Sequence, residues 1–150
     1  MTIRIETASI NHLNELCKIE NACFETEAFT KQQIARLLTD YDSVSLVAKE
    51  NNNVVGFVMG SLYFERNSLT GHILTIDVLP SCRRKGIATQ LLSEMERLFK
   101  VKGVNTCRLE VREDNYVAIG LYKKFGYKPI GRLNNYYGSA HGIYLRKTLT

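Results

Sequence analysis

The sequence predicts an α/β fold on a mixed sheet, in the order β-α-α-β-β-β-α-β-α-β-β. Three observations lead there. A strand, a long amphipathic helix and a second strand follow one another between Gly71 and Val111, and a connection of that length joins parallel strands through a right-handed crossover. Alternating runs flank Asn51-Asn52-Asn53 and Asn134 to His141, the pattern of hairpins. At 150 residues the chain has room for one domain and one core, residues 1–150, and no internal repeat of solenoid length interrupts it.

Taken in order, Thr2 to Glu6 alternates apolar and polar residues as a first strand. Leu13, Leu16, Cys17, Cys23 and Phe24 follow helical spacing, with Ser9 or Asn11 as candidate N-caps. Thr30 and Gln33 form a capping box, and Ile34, Leu37 and Leu38 give the second helix its apolar face. The linker between the helices, Phe24-Glu-Thr-Glu-Ala-Phe29, is short, aromatic and acidic. Ser45 to Ala48 and Val54 to Tyr63 pair as a hairpin, and a further strand from Gly71 to Val78 stops at Pro80. Ile87, Leu91, Leu92, Met95, Leu98 and Phe99 share one face of a helix from about Lys85 to Lys102, which ends before Gly103. Thr106 to Val111 is strand, Asn115 caps a helix to about Lys124, and Tyr127 to Leu133 with Gly142 to Thr148 closes the sheet.

The stretch from Thr75 to Ala88 carries the clearest chemistry. A strand, a proline stop and then Arg83-x-x-Gly86-x-Ala88 at a helix start describe a place for an anion. The first turn of a helix offers unpaired N–H groups and the positive end of the macrodipole. Gly86 allows close backbone approach, Ala88 keeps the next position small, and Arg83, Arg84 and Lys85 add the charge that a ligand with several phosphates requires. Basic residues at that end oppose the dipole, which argues for a bound anion. The spacing fits neither the nucleoside-triphosphate loop nor the dinucleotide fingerprint. The bland alternative is a turn before a helix that is basic by accident.

Composition narrows the class. With 45% hydrophobic and 23% charged residues the chain reads as a soluble globular protein. No apolar run approaches a membrane span and no signal peptide opens the chain, so the expectation is a cytoplasmic protein without a membrane partner. Cys17, Cys23, Cys82 and Cys107 have neither C-x-x-C spacing nor scaffold density, and His12, His72 and His141 are scattered, so no metal site is expected. Cys82 beside the basic loop reads either as a low-pKa nucleophile or as a small half-exposed residue. Residues 1–50 hold 5 Lys/Arg against 8 Asp/Glu and residues 51–150 hold 15 against 7, so the net +5 resides in the C-terminal two-thirds. That asymmetry suits a polyanionic ligand or loose ribosome association, and no motif for specific nucleic-acid readout accompanies it.

These residues together resemble a known superfamily. Arg83-x-x-Gly86-x-Ala88 after Ile76-Asp77-Val78, then Leu109-Glu110-Val111-Arg112, Asn115 and Leu121-Tyr122-x-x-x-Gly126-Tyr127, are similar to the GNAT acetyltransferases over roughly residues 45 to 148. Gly71-His72-Ile73-x-Thr75-Ile76 and Tyr136-Tyr137 resemble its protein N-terminal branch, the ribosomal-protein alanine and arrest-defective types.

The resemblance implies a GNAT fold whose two central parallel strands splay apart, with acetyl-CoA as co-substrate in the gap. It places the pyrophosphate on Arg83, Arg84, Lys85, Gly86, Ile87, Ala88 and Thr89, the pantetheine on the backbone of Ile76, Asp77 and Val78, and the cofactor arm on Asn115, whose N-cap role is compatible. Glu110 would be the general base, directly or through water, and Tyr122 the acid for the departing thiolate. Their ordinary alternatives are a solvated strand carboxylate near Arg108 or Arg112 and a packing tyrosine. Phe24, Glu25 and Phe29 would wall the acceptor groove and Tyr136 and Tyr137 cover the peptide, or else pack as ordinary aromatics. The implied activity is acetyl transfer to protein N-terminal α-amines, with a lysine, polyamine or other small amine as the alternative acceptor and a non-catalytic acyl-CoA-binding module as the alternative class. The chain departs from its branch in lacking Pro-Trp-Ser in the first loop, in Gly138-Ser-Ala-His-Gly142, and in Asp77, where a small residue is usual.

Overall fold

The computed structural model describes residues 2–24, 26–138 and 140–149. Seven strands form one sheet in the order β1-β2-β3-β4-β5-β7-β6, where β1 is Ile3–Thr7, β2 Ser43–Glu50, β3 Asn53–Glu65, β4 Ser68–Val78, β5 Thr106–Arg112, β6 Lys128–Leu133 and β7 Gly142–Thr148. Helices α1 (Leu13–Cys23) and α2 (Lys31–Thr39) precede the central strands, α3 (Ile87–Val101) joins β4 to β5, and α4 (Tyr116–Lys124) follows β5. The element order is the one the sequence predicts.

Strands β2 and β3 read as near-continuous apolar runs because both of their faces are covered. Leu46, Val58 and Ile73 pack with Leu91, Leu92, Met95 and Phe99 of α3 on one side, while Val47, Phe57 and Met59 pack with Leu16, Ile19 and Ile34 of α1 and α2 on the other. Glycine is required where α3 comes closest. A Cβ on Gly71 would lie 2.5 Å from the Phe99 ring, well inside contact distance.

Two boundaries differ from expectation. Strand β4 begins at Ser68, since Arg66 and Asn67 turn the chain with φ of 53° and 66° and extend the β3–β4 hairpin. Neither glycine nor proline marks that turn. Helix α3 begins at Ile87, and Gly86 is its N-cap at φ 77°, so Arg83, Arg84 and Lys85 lie in the preceding loop instead of the first turn. The opposition between their charge and the dipole is correspondingly weaker.

The feature that positions the site is a failure of pairing. Strands β4 and β5 are the parallel pair, matched only from Thr70↔Thr106 to Ile73↔Leu109. Beyond Ile73, β4 stays bonded to β3 as far as Val78, and β5 stays bonded to β7 as far as Arg112. The two strands therefore diverge, each held by its outer neighbour, and residues 74–78 have no strand on their inner edge.

Candidate active site

A cavity of about 760 Å³ occupies the divergence. It is lined by His72 to Ile76 of β4, by Leu109 to Arg112 of β5, by Asn115, Ala118 and Tyr122 at and after the start of α4, and by Glu20, Phe24, Thr26, Glu27 and Phe29 with Tyr136, Tyr137 and Gly138. Of the residues singled out in the sequence, Ile76, Glu110, Asn115, Tyr122, Phe24, Phe29, Tyr136 and Tyr137 meet in this one space. Glu25 lies outside the described residues.

The rest stand elsewhere. Asp77 is 1% exposed, and its side chain takes part in a buried network with Thr75 and Glu20 instead of lining the cavity. Val78 is buried too. The loop from Arg83 to Thr89 lies past the end of β4, outside the cavity lining. Within it Arg84 and Gly86 both have positive φ, at 66° and 77°, an alternation of the kind that turns successive N–H groups toward one point. Arg83 is anchored at the start of this loop: its Nε donates to the Val78 carbonyl at 3.1 Å and its guanidinium contacts Cys23 Sγ at 3.5 Å, both neutral acceptors that leave its charge in place. Lys85 Nζ sits 3.7 Å from Glu50. Ile87 is buried in the core, so its backbone is what it can offer an anion. A Cβ on Gly86 would meet nothing within 4 Å, which leaves its surroundings open to a ligand. Cys82 lies in this stretch, outside the cavity.

Within the cavity, Glu110 Oε1 is 2.6 Å from His72 Nε2 and Oε2 accepts from Arg108 at 2.9 Å. Burial alone would raise the Glu110 carboxyl, but the bonds from His72 and Arg108 outweigh it and hold the group below its ordinary range. Arg108 in turn donates to Tyr63 Oη at 3.2 Å and stacks over Tyr144 at 4.5 Å. Burial works against its charge, yet Glu110 and Tyr63 keep the guanidinium above its usual range. Both oxygens of Glu110 are thus engaged. The alternative of a simple solvated carboxylate near Arg108 describes the contact but misses the histidine.

His72 is the functional candidate that residue-by-residue reading passed over. The pairing His72↔Arg108 across the parallel ladder sets Glu110 two residues further along β5, within reach of the ring. Glu27 was also missed. Its carboxylate accepts from Arg112 at 3.3 Å, joining the α1–α2 loop to the end of β5 across the cavity mouth.

Tyr122 is 8% exposed, and burial pushes its hydroxyl well above the usual tyrosine range, so it stays protonated and can donate. Asn115 caps α4, its Oδ1 accepting from Ala118 N at 3.2 Å, and faces the cavity as well. Tyr136 and Tyr137 meet edge to face at 4.9 Å and pack over Gly142.

A cavity between diverging parallel strands, a buried phenol and a histidine–carboxylate pair can bind an extended thioester and move protons on either side of it. Comparison with known proteins agrees with that chemistry. The acetyltransferase (GNAT) family model matches residues 13–127. An N-alpha-acetyltransferase of Sulfurisphaera tokodaii is 31% identical over 95% of this chain and 90% of its own length. Among solved structures, Ard1 from Thermoplasma volcanium superposes with a TM-score of 0.90 at 27% identity, covering 100% of this chain and 99% of that one. Arabidopsis thaliana NAA60, crystallised in complex with acetyl-CoA, superposes at 0.88 and 20% identity, covering 99% of each chain. With the family's motifs in place from the first helix to the end of α4 and its strand divergence present, the chain belongs to the acetyltransferase (GNAT) family and is an acetyl-CoA-dependent acyltransferase.

Proposed function

We propose that this acetyltransferase acts on the α-amine at the N-terminus of a protein or peptide, by direct attack and without a covalent enzyme intermediate. The observation that carries the reading is the His72–Glu110 pair, 2.6 Å apart, in one cavity with Tyr122 and with the aromatic wall of Phe24, Phe29 and Tyr137. The relative from Sulfurisphaera tokodaii, similar over nearly the whole chain and named an N-alpha-acetyltransferase, supports the same acceptor.

Acetyl-CoA supplies an activated acetyl thioester. The residues present fit it: residues 74–78 have a strand on one edge only, and the loop before α3 offers open backbone around Gly86 at a helix start. Ile76 and its neighbours would hold the pantetheine, and Gly86 to Thr89 the pyrophosphate.

The acceptor enters as an ammonium and must lose a proton. A peptide α-amine has a pKa of about 7.7–8.0, so a modest base suffices. Glu110, tied on both oxygens, is better suited to orienting than to accepting. Its bond to His72 Nε2 fixes the ring and directs Nδ1 to take the proton, directly or through one water. The freed amine then forms the C–N bond as the C–S bond breaks, and Tyr122 Oη–H protonates the leaving thiolate. The second proton lost by the nitrogen balances the one Tyr122 gives. The free Cys17, Cys23, Cys82 and Cys107 accord with work in the reducing cytoplasm, and the basic C-terminal part of the chain would permit loose contact with ribosomes. Among the described residues, no helix is long and apolar enough to cross a membrane.

The test is an acceptor screen: peptides differing in their first residues, free lysine and spermidine, compared by kcat/KM. Peptides should be preferred. Faster turnover of spermidine or lysine would overturn the reading, and comparison of protein N-termini from cells with and without the protein would identify the natural acceptors.

A further inference from the structure

Two carboxyl groups are buried together at the cavity wall, Glu20 lining it and Asp77 beneath, outside the proton path above. Glu20 of α1 and Asp77 of β4 are each 1% exposed, and Thr75, 7% exposed, stands between them. Thr75 Oγ1 is 3.3 Å from Glu20 Oε1 and in short contact with Asp77 Oδ1. Glu20 Oε2 accepts the backbone N–H of Phe29 at 2.9 Å. Asp77 Oδ2 has no partner among the described residues.

The hydrogen count decides how such a group can exist. The Thr75 hydroxyl has one proton and cannot donate to two carboxylates at once. If Asp77 bears a proton, the chain closes: Asp77 donates to Thr75, Thr75 donates to Glu20, and Glu20 also accepts from Phe29. The bare Oδ2 then belongs to a neutral acid, for which an unpartnered oxygen costs far less than for a buried carboxylate. Burial, then the neighbouring Glu20, pushes the Asp77 carboxyl well above the usual carboxylate range, in the same sense.

We infer that Asp77, Thr75 and Glu20 are positioning residues, a clasp closed by one shared proton that fastens the acceptor wall at Phe29 onto the strand bordering the acetyl-CoA gap. The role in acceptor binding rests on the proposed N-terminal acceptor; the clasp itself does not. It gives the buried acid on β4 a role: Asp77 supplies the donor that lets Thr75 face Glu20. The α1–α2 loop reaches β4 through this network, and its other tie is Glu27 to Arg112 on β5. One loop is thereby fixed to both diverging strands.

The experiment reads the clasp and the catalysis separately. Amide exchange at Phe29, followed by NMR in the protein without substrates, reports whether Glu20 still holds that N–H. Thr75→Val should cut protection of Phe29 by about tenfold and raise peptide KM by a similar factor, the effect of one charge-assisted hydrogen bond, while acetyl-CoA affinity stays at the parent value. Thr75→Ser, which keeps the hydroxyl, and Asp77→Asn, whose amide can donate in place of the shared proton, should both retain the protection of Phe29. Protection of the β3 amides serves as the check that each variant is folded. Parent-level protection in Thr75→Val overturns the clasp. So does equal loss of peptide and acetyl-CoA binding, which would mean general loosening. Loss of protection in Asp77→Asn as great as in Thr75→Val overturns the shared proton. If protection changes as expected but no peptide is acetylated by the parent, the clasp stands and the acceptor assignment falls.

Discussion

His72 Nε2 and Glu110 Oε1 lie 2.6 Å apart across the last paired rungs of the only parallel ladder in the described sheet. The contact sits where β4 and β5 begin to part. A ring held there has one nitrogen committed to the carboxylate and lines the cavity, so its orientation is built into the strand register.

If Glu110 orients and His72 accepts, the two variants should separate. His72→Gln should lower kcat/KM by about 10²- to 10⁴-fold, the range for a positioned acid or base, and the deficit should shrink at high pH, where the amine arrives deprotonated. Glu110→Gln should reduce the rate less, because the amide can still meet the ring, and leave acetyl-CoA affinity unchanged. Single-turnover rates from pH 6 to 10 decide it. A Glu110→Gln enzyme as impaired as His72→Gln, with its acidic limb abolished, would return the base role to Glu110.

If Tyr122 protonates the thiolate, Tyr122→Phe removes that donor while keeping the ring that meets Tyr127 edge to face at 5.9 Å. The fold should persist, and transfer to good and poor acceptors should slow alike, again by about 10²- to 10⁴-fold. A loss below tenfold under single-turnover conditions would mean that water protonates the thiolate, and would make Tyr122 a packing residue.

Much of this was legible from periodicity and punctuation. The apolar stripe of α3, the Thr30–Gln33 capping box, with both of its bonds present, and the cap at Asn115 all rest on contacts within a few residues, which local sequence encodes. The turn at Arg66-Asn67 was not legible, because only Asn67 is a residue that favours positive φ and Arg66 beside it carries no such signal. Nor was His72: a lone histidine acquires meaning from Glu110, 38 residues away, and that depends on parallel register, which no local pattern sets. Glu20 and Asp77 posed the same difficulty across 57 residues. Nor could the sequence say that the Arg83 guanidinium bonds the Val78 carbonyl, a contact set by where the end of β4 meets the following loop.

The backbone before α3 gives a test of cofactor binding independent of catalysis. Gly86→Val places a β-branched side chain at φ 77°, a conformation that costs such residues heavily, and fills the open space beside the helix start. Acetyl-CoA should bind at least about tenfold more weakly by calorimetry, with far-UV circular dichroism unchanged, since no neighbouring atom lies within 4 Å to be displaced. Unaltered affinity in a folded variant would remove the loop from the cofactor site.

Gly71 offers the opposite case, in which the cost falls on the fold. An added Cβ would lie 2.5, 2.6 and 2.9 Å from three atoms of the Phe99 ring, which is itself fully buried. Gly71→Ala should therefore destabilise the protein by about 1–3 kcal/mol, the usual cost of overpacking. Gly71→Ala combined with Phe99→Leu should recover part of the loss, because the smaller side chain vacates the contact. Urea midpoints of these two variants, of Phe99→Leu alone and of the parent measure this, and a Gly71→Ala variant as stable as the parent would show that Phe99 has room to withdraw.

The Glu110 network also predicts how stability responds to acid. A carboxyl whose pKa is lowered by folding releases its proton more readily when folded, so it contributes stability that is fully present above the unfolded value of about 4.3 and disappears as pH falls through the lower folded value. Several carboxyls at or near the surface, among them Glu6, Glu94, Glu113 and Asp114, shift in the same direction, so the acid profile of the parent alone cannot isolate Glu110. Comparison with Glu110→Gln cancels them. The parent should be the more stable at pH 7, where the carboxylate holds His72 and Arg108, and the gap should close below about pH 4 as the acid becomes the neutral counterpart of the amide. The opposite slope, a gap that widens on acidification, would require the folded protein to favour the protonated acid and would contradict the ties to His72 and Arg108. A gap constant from pH 7 to 2.5 would mean that the charge on Glu110 adds nothing to the fold, leaving its bonds to act only on the orientation of His72.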